Sequence, residues 1–402
     1  MDKSFKAAIL VAALGYFVDV YDLILFSVVR VTSLRSLGLS PEQILSEGVY
    51  LINMQMLGML LGGILWGILG DKKGRVSVLF GSIFVYSLAN IANAYVTDVS
   101  GYAFWRFVAG LGLAGELGAG ITLVAEMMPK EKRGYGTTIV ATVGVTGAIF
   151  AALTGTYFDW RTNYVIGGIL GLLLLLLRIA VCESGLFSQM KSKSVERGSL
   201  MLLFSSWDRV RRFVLCILCG VPIWCVVGVL VTFAPEIAKA LNISGDVSPA
   251  NAVLFTYIGL SIGDMSSGLI SQKLQSRKKI LYLFIILTLI SSLVILNSNG
   301  VSSAIYNWLY LPLGISVGYW AMFVTVAAEQ FGTNLRATVT TSVPNFVRGA
   351  AVPLTSLFQY LHGGYGVLNS ALFTVLLSIS LAFFAVTQLR ESFHNDLDFI
   401  EE

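Results

Sequence analysis

Charge is what this chain has least of. Only 12% of its 402 residues are Asp, Glu, Lys or Arg, and 56% are hydrophobic. A soluble domain carries about 25% charged residues, so a soluble globular protein is excluded. Histidine is almost absent: His362 lies at the far end of an apolar stretch and His394 in the tail, so neither serves as a proton carrier inside a span. The four cysteines are Cys182, Cys216, Cys219 and Cys225. Cys216-Ile-Leu-Cys219 has a CxxC spelling but lacks the second ligand pair of a zinc site, so the cysteines read as small apolar residues in helices. No phosphate-cradling glycine loop, HExxH pair or nucleophile elbow occurs, nor the strands that would hold them. The expectation is therefore no enzyme, no metal and no cofactor, and without an ATP-binding domain the energy source is an ion or substrate gradient. The formal charge of +4 is spread over short loops, which speaks against a nucleic-acid partner. Met1–Lys6 is charged, but the apolar run behind it is too long for a signal-peptide core, so no cleaved leader is expected.

What the chain has in abundance is apolar length, with a mean hydropathy of +0.78. Runs long enough to cross a hydrocarbon core of about 30 Å recur throughout. Twelve spans are expected, at 7–30, 47–70, 76–96, 101–128, 135–157, 162–182, 213–234, 250–272, 279–296, 303–328, 336–361 and 367–389. Ser40-Pro41-Glu42 is a helix-start signal for the second. Residues 183–212, rich in Lys, Arg and Ser, divide six spans from six. The reading is an all-α membrane protein of two pseudo-symmetric six-helix bundles: 1–184, a central loop 185–212, 213–390, and a tail 391–402. Of the 27 Lys and Arg, only Arg30, Arg35, Arg161 and Lys239 fall in loops opposite the termini, and Arg106, Arg178 and Arg348 lie inside spans. The remaining bias places both termini in the cytoplasm of an inner membrane. Loops and tail are short, and a monomer embedded in lipid is expected.

Inside this apolar background the charged residues mark function. Asp19 and Asp22 sit near the middle of span one, where an acid costs roughly 2.5–3.5 kcal/mol on insertion scales. Their i, i+3 spacing puts both on one helix face, which must look into a polar cavity or at a partner charge. At about 1.5 Å per residue, Asp19, Glu116 and Arg348 all lie about 18 Å from the cytoplasmic ends of their spans. A guanidinium at that depth suits a carboxylate, whose two oxygens match its fork; a permanent Arg348–Asp salt bridge is the structural alternative. Asp19, Asp22 and Glu116 are the candidates for the proton. Arg106 is placed to modulate them, unless Asp98 or a backbone carbonyl holds it. Asp264 is either a further cavity acid or a helix-packing group. Tyr16, Tyr21, Asn53, Gln55, Trp224, Tyr257, Tyr319, Trp320, Asn345 and Gln359 supply aromatic and amide surface. Pro222, Pro235, Pro312, Pro344 and Pro353 are expected to bend spans seven, ten and eleven.

Gly67-x-x-x-Asp71-x-x-Gly74-Arg75, between the second and third spans, resembles the signature loop of the major facilitator superfamily. A degenerate echo, Gly268…Gln272…Arg277, follows span eight. Arg106-Phe-Val-Ala-Gly-Leu-Gly-Leu-Ala-Gly-Glu116, Glu126…Arg133-Gly134, Glu329…Arg336 and Cys182-Glu183-Ser184 are similar to motifs of its sugar-porter, organic-ion and metabolite–proton symporter branch. Asp19-Val-Tyr-Asp22 resembles the span-one acid pair of its aromatic-acid symporters, with Val in place of Gly. Gly144-Val-Thr-Gly147 lacks the proline of the drug–proton antiporter motif. The resemblance implies that Gly67, Asp71, Gly74, Arg75, Glu126, Arg133, Glu329 and Arg336 latch the cytoplasmic side as a gate. Substrate contacts are expected from Arg348, Asp22, Tyr21, Gln55, Trp224, Tyr319 and Asn345, and proton coupling through Asp19, Asp22, Glu116 and Arg106; an arginine placed as Arg348 is also what the resemblance to anion-type organic-ion transporters implies. The expected function is proton-coupled import of a small organic anion by alternating access. The alternatives are export or facilitation of a neutral, cationic or metal-chelate solute, or a transport-dead sensor of the same fold.

Overall fold

The computed structural model describes residues 3–73, 75–115, 133–183, 203–393 and 401. These residues are helical almost throughout, and among them the only β contact is one isolated bridge between Ser244 and Ser302. The chain divides into two compact units, Met1–Ser40 with Tyr50–Glu196, and Pro41–Val49 with Arg197–Glu402.

The first unit is built from α1 (Lys3–Ser36), α2 (Pro41–Lys73), α3 (Arg75–Asn93), α4 (Val99–Leu113), α5 (Arg133–Tyr157) and α6 (Trp160–Glu183). α2 begins at Pro41, where the preset φ of proline suits the first helical turn. α4 begins after Asp98, whose carboxylate accepts from the Gly101 N–H at 2.8 Å. α1 is the enclosed member: 89% of the most apolar eighteen residues within Leu10–Ser36 are buried, against 39% of those within Trp160–Ile179 of α6. A helix apolar on every side and covered on every side sits inside its bundle. The two acids of α1 therefore face protein. Leu61, Ile64, Leu173 and Leu176 lie on exposed faces of α2 and α6, as lipid contact requires.

The second unit holds α7 (Trp207–Cys225), a π-helical turn (Val226–Val231), α8 (Ala234–Ala240), α9 (Pro249–Leu274), α10 (Arg277–Leu296), α11 (Ser303–Val317), α12 (Trp320–Glu329), α13 (Thr333–Gly349) and α14 (Ala351–Gln388). Pro222 removes a backbone donor from α7, and the ladder relaxes into the π turn one residue after Cys225. Serine side chains start α9, α10 and α11, with Ser276 accepting from Lys279 N at 3.2 Å. Eight helical stretches of the described residues are long and apolar enough to span a membrane.

Among the described residues each of the twelve expected spans has a helical counterpart, residues 116–128 of span four lying outside them, and there are three differences. Span ten, expected as one helix over 303–328, is broken at Gly318–Tyr319 into α11 and α12. Spans eleven and twelve are divided between α13 and a kinked α14, whose joint is Gly366 at φ 75°, a left-handed conformation that only glycine adopts without strain. α7 starts at Trp207, inside the stretch expected as central loop; residues 184–202 lie outside the described set.

Candidate functional site

In the first unit, apolar helices bring their few polar side chains to one place. Asp19 and Asp22 of α1 are 0% and 1% exposed. Asp22 is coupled electrostatically to Asp19 and to Arg106 of α4, and lies beside the amide of Asn90 on α3. α6 can approach because position 167 is glycine: a Cβ there would run into Asp22 Oδ1 and the Tyr21 ring. Arg106 is fully buried. Its Nη2 donates to Gln55 Oε1 of α2, and its guanidinium carbon lies 5.2 Å from the Phe26 ring centroid and 5.7 Å from that of Tyr164. Gln55 Nε2 reaches the Leu23 carbonyl at 3.5 Å. Asp98, left open by the sequence as a partner for Arg106, is occupied at the start of α4.

The structure thus brings Asp19, Asp22, Gln55 and Arg106 together within one unit. Tyr21 belongs to the same region, but its hydroxyl donates to the Asn163 carbonyl at 3.0 Å and lies 3.4 Å from Thr154 Oγ1, so it ties α1 to α5 and α6. Below it Tyr102 and Tyr164 share a hydrogen bond at 2.7 Å. Sequence reasoning passed over Asn90 and Asn93, both fully buried on α3. The available signal was their i, i+3 spacing in an otherwise apolar span.

In the second unit the centre is Arg348 of α13, 1% exposed. Its guanidinium carbon lies 5.9 Å from the Trp224 ring of α7 and 5.8 Å from the Trp320 ring of α12. Trp224 is placed by the Pro222 segment just before the π turn, and Trp320 by the break in span ten. Two indoles about a guanidinium supply cation–π attraction and two flat apolar faces. Asn345, one turn earlier on α13, is buried as well. Tyr319 is fully buried and donates to the Cys219 carbonyl at 3.2 Å. Asp264 of α9 accepts from the Ala321 N–H at 3.1 Å and caps α12, which favours the helix-packing alternative.

The expected gate divides. Glu116, Gly74 and Glu126 lie outside the described residues, as do the side chains at Gly67, Asp71, Arg75 and Arg133. Glu329 is described: Arg277 Nη2 donates to its Oε1 at 2.9 Å and Arg277 Nε to its Oε2 at 3.1 Å. Arg336 instead donates to the Ala328 and Phe331 carbonyls, at 3.2 and 3.3 Å, across the α12–α13 turn. Tail residues join this end: Ser392 Oγ donates to Glu329 Oε2 at 2.7 Å, and Arg212 holds Glu401 through two hydrogen bonds at 2.8 and 2.9 Å.

Known proteins bear on this arrangement. A NiaP protein of Bacillus subtilis (strain 168), whose name proposes niacin/nicotinamide transport, is 27% identical over 82% of this chain and 81% of its own length. The sialic acid transporter NanX of Escherichia coli (strain K12) is 24% identical over 93% of this chain and 91% of its own. The xylose transporter XylE from E. coli, in an inward-open structure, superposes with a TM-score of 0.74, covering 98% of both chains at 15% identity, and so shares the fold. The model of the Major Facilitator Superfamily matches residues 12–355. With helices, intramembrane charges and this match in agreement, the chain is a membrane transporter rather than an enzyme and belongs to the Major Facilitator Superfamily.

Proposed function

We propose that the protein imports a small organic anion together with a proton by alternating access, and that the anion is an aromatic or otherwise flat-faced carboxylate. The observation that carries this reading is Arg348, buried beside the rings of Trp224 and Trp320. A guanidinium fork binds both oxygens of a carboxylate, and indole faces take the ring attached to it. Niacin and sialic acid, printed in the names of the two relatives, are both carboxylic acids. For the proton, the buried Asp19 and Asp22, with Arg106 in electrostatic reach of Asp22, supply acids that can gain and lose a charge inside the protein. The lysine and arginine bias supports cytoplasmic termini in an inner membrane, and the function is carried by a monomer in lipid.

The test is uptake of labelled nicotinate or benzoate into liposomes holding the purified protein, acid outside. Accumulation that collapses when the pH gradient is dissipated, and fails in Arg348→Ala, is the expected result. Uptake indifferent to the gradient removes the coupling, and undiminished carboxylate affinity in Arg348→Ala removes the anion.

A further inference from the structure

We propose that Ser87, Asn90 and Asn93 on α3 form a hydrated seam that delivers the proton to Asp22 within the first unit. This rests on the proton-coupled reading above. The two asparagines are 0% exposed; Asn90 meets the Asp22 carboxylate, and beyond that contact neither the Nδ2 nor the Oδ1 of either closes a hydrogen bond among the described residues. The same is true of Ser87 Oγ, one turn earlier, and of both carboxylate oxygens of Asp22, which stands beside Asn90 in the middle of the stripe. Native proteins leave few buried polar atoms unbonded, because an amide moved from water into an apolar surround without a partner costs several kcal/mol. Five such atoms in a stripe that meets a buried carboxylate are a lining that binds water. Buried waters join polar groups of this kind and conduct protons between them.

The stripe has a direction. Ser87 to Asn93 is six residues, or about 9 Å of helix rise. Asn93 is the last residue of α3, beside the loop where Arg161 donates to the Ala94 and Val96 carbonyls at 2.6 and 3.1 Å. Asn90 lies beside Asp22. The two asparagines therefore run from a loop end of the bundle to the acid, and Ser87 lies one turn beyond it. α6 covers it with glycine: a Cβ at Gly171 would strike Ser87 Oγ, as one at Gly167 would strike Asp22. The α6 backbone therefore closes directly over Ser87 and Asp22 on that side. The charged and titratable groups facing Asp22 are Asp19 and Tyr21 on its own helix, Arg106 on α4 and Tyr164 on α6; none belongs to the seam, so the seam can be altered without touching them.

The test compares two modes of nicotinate transport in liposomes, accumulation driven by a pH gradient and counterflow, which needs no net proton movement. Asn90→Leu and Asn93→Leu are expected to lose at least about tenfold of gradient-driven accumulation, with counterflow kept within about twofold, and Asn90→Ser and Asn93→Ser to recover it. Unchanged accumulation in the leucine variants overturns the seam, as does a parallel fall of both modes in folded protein. A second measurement needs no variant. Radiolytic hydroxyl labelling of the wild-type protein is expected to modify Tyr86 and Ile91, the seam's neighbours on α3, at rates set by local water; absence of modification at both overturns the proposal. If the wild-type protein ignores the pH gradient, the proton-coupled reading fails by itself, while the labelling still decides whether the seam is wet.

Discussion

Arg277 and Glu329 face one another through two hydrogen bonds, at 2.9 and 3.1 Å, with both side chains about a tenth exposed. The pair joins the start of α10 to the end of α12. The same guanidinium donates from Nη1 to Ser271 Oγ at 2.9 Å and lies 4.8 Å from the Phe393 ring centroid. The degenerate echo after span eight therefore keeps its arginine engaged although Gln272 replaces the acid of the first-half loop.

Breaking that pair from one side leaves the other charge partly buried and without its counterion. Glu329→Ala is expected to lower stability by about 2–3 kcal/mol, while Arg277→Ala adds little in the double variant because the partner is already gone. A double-mutant cycle on thermal unfolding in detergent measures this. Additive losses refute the pairing as an energetic unit.

Glu401 gives the pH dependence of the same end. Hydrogen bonding from Arg212 holds its carboxyl below the ordinary 4.5 against the opposing effect of burial, with the Gly332 N–H assisting. A depressed folded-state value means stabilisation that is fully present above the unfolded value and lost as pH falls through the folded one. The stability of the wild-type protein should therefore fall further than that of Glu401→Gln between pH 7 and pH 3, by an amount on the order of 1 kcal/mol, read as a larger drop in melting temperature. Parallel curves for the two proteins would exclude the contribution.

The sequence carried the helices more clearly than their interruptions. Apolar length marks a span, and Ser40-Pro41 marks a start, because both act locally. The break at Gly318–Tyr319 left no hydropathy signal, since α11 and α12 are both apolar and the break is held by Asp264 from another helix. Asp264 was legible as a residue needing a reason, but its partner, a backbone N–H fifty-seven positions away, was not. Arg106 shows the same limit. An arginine in a span demands a partner, and Asp98 was the nearest acid in sequence; helix packing supplied Gln55 from α2 instead. Asn90 and Asn93 were overlooked because amides carry no charge to flag them, although at bundle depth they need bonding as much as an acid does.

Arg348 and its two indoles separate charge from shape. Arg348→Lys keeps the charge but loses the planar fork, so carboxylate affinity should drop about tenfold or more. Trp320→Leu keeps the fork but removes one flat face, and should reduce the preference for aromatic over aliphatic carboxylates by about 0.5–1.5 kcal/mol. Calorimetric titration with benzoate and cyclohexanecarboxylate reads both. A Trp320→Leu protein that retains the preference places the ring elsewhere.

Asp264 permits a sharper test, because the two roles the sequence leaves open for it predict different outcomes. As a cap, its carboxylate satisfies the Ala321 N–H at the start of α12, where the positive end of a helix favours an acceptor. The helices there are pressed together: a Cβ on Gly318 would stand 2.5 Å from the Gly263 Cα, so Gly318→Ala must move one of them. Asp264→Asn keeps an acceptor oxygen and should cost less than about 1 kcal/mol, whereas Asp264→Ala strips the cap and should cost about 1–2 kcal/mol. As a proton carrier the order would differ, since asparagine cannot be protonated in the acid's place and would abolish gradient-driven uptake as completely as alanine. Asp264→Asn that accumulates substrate like the wild type, beside a less stable Asp264→Ala, is the expected pattern, and it leaves proton carriage to the acids of α1.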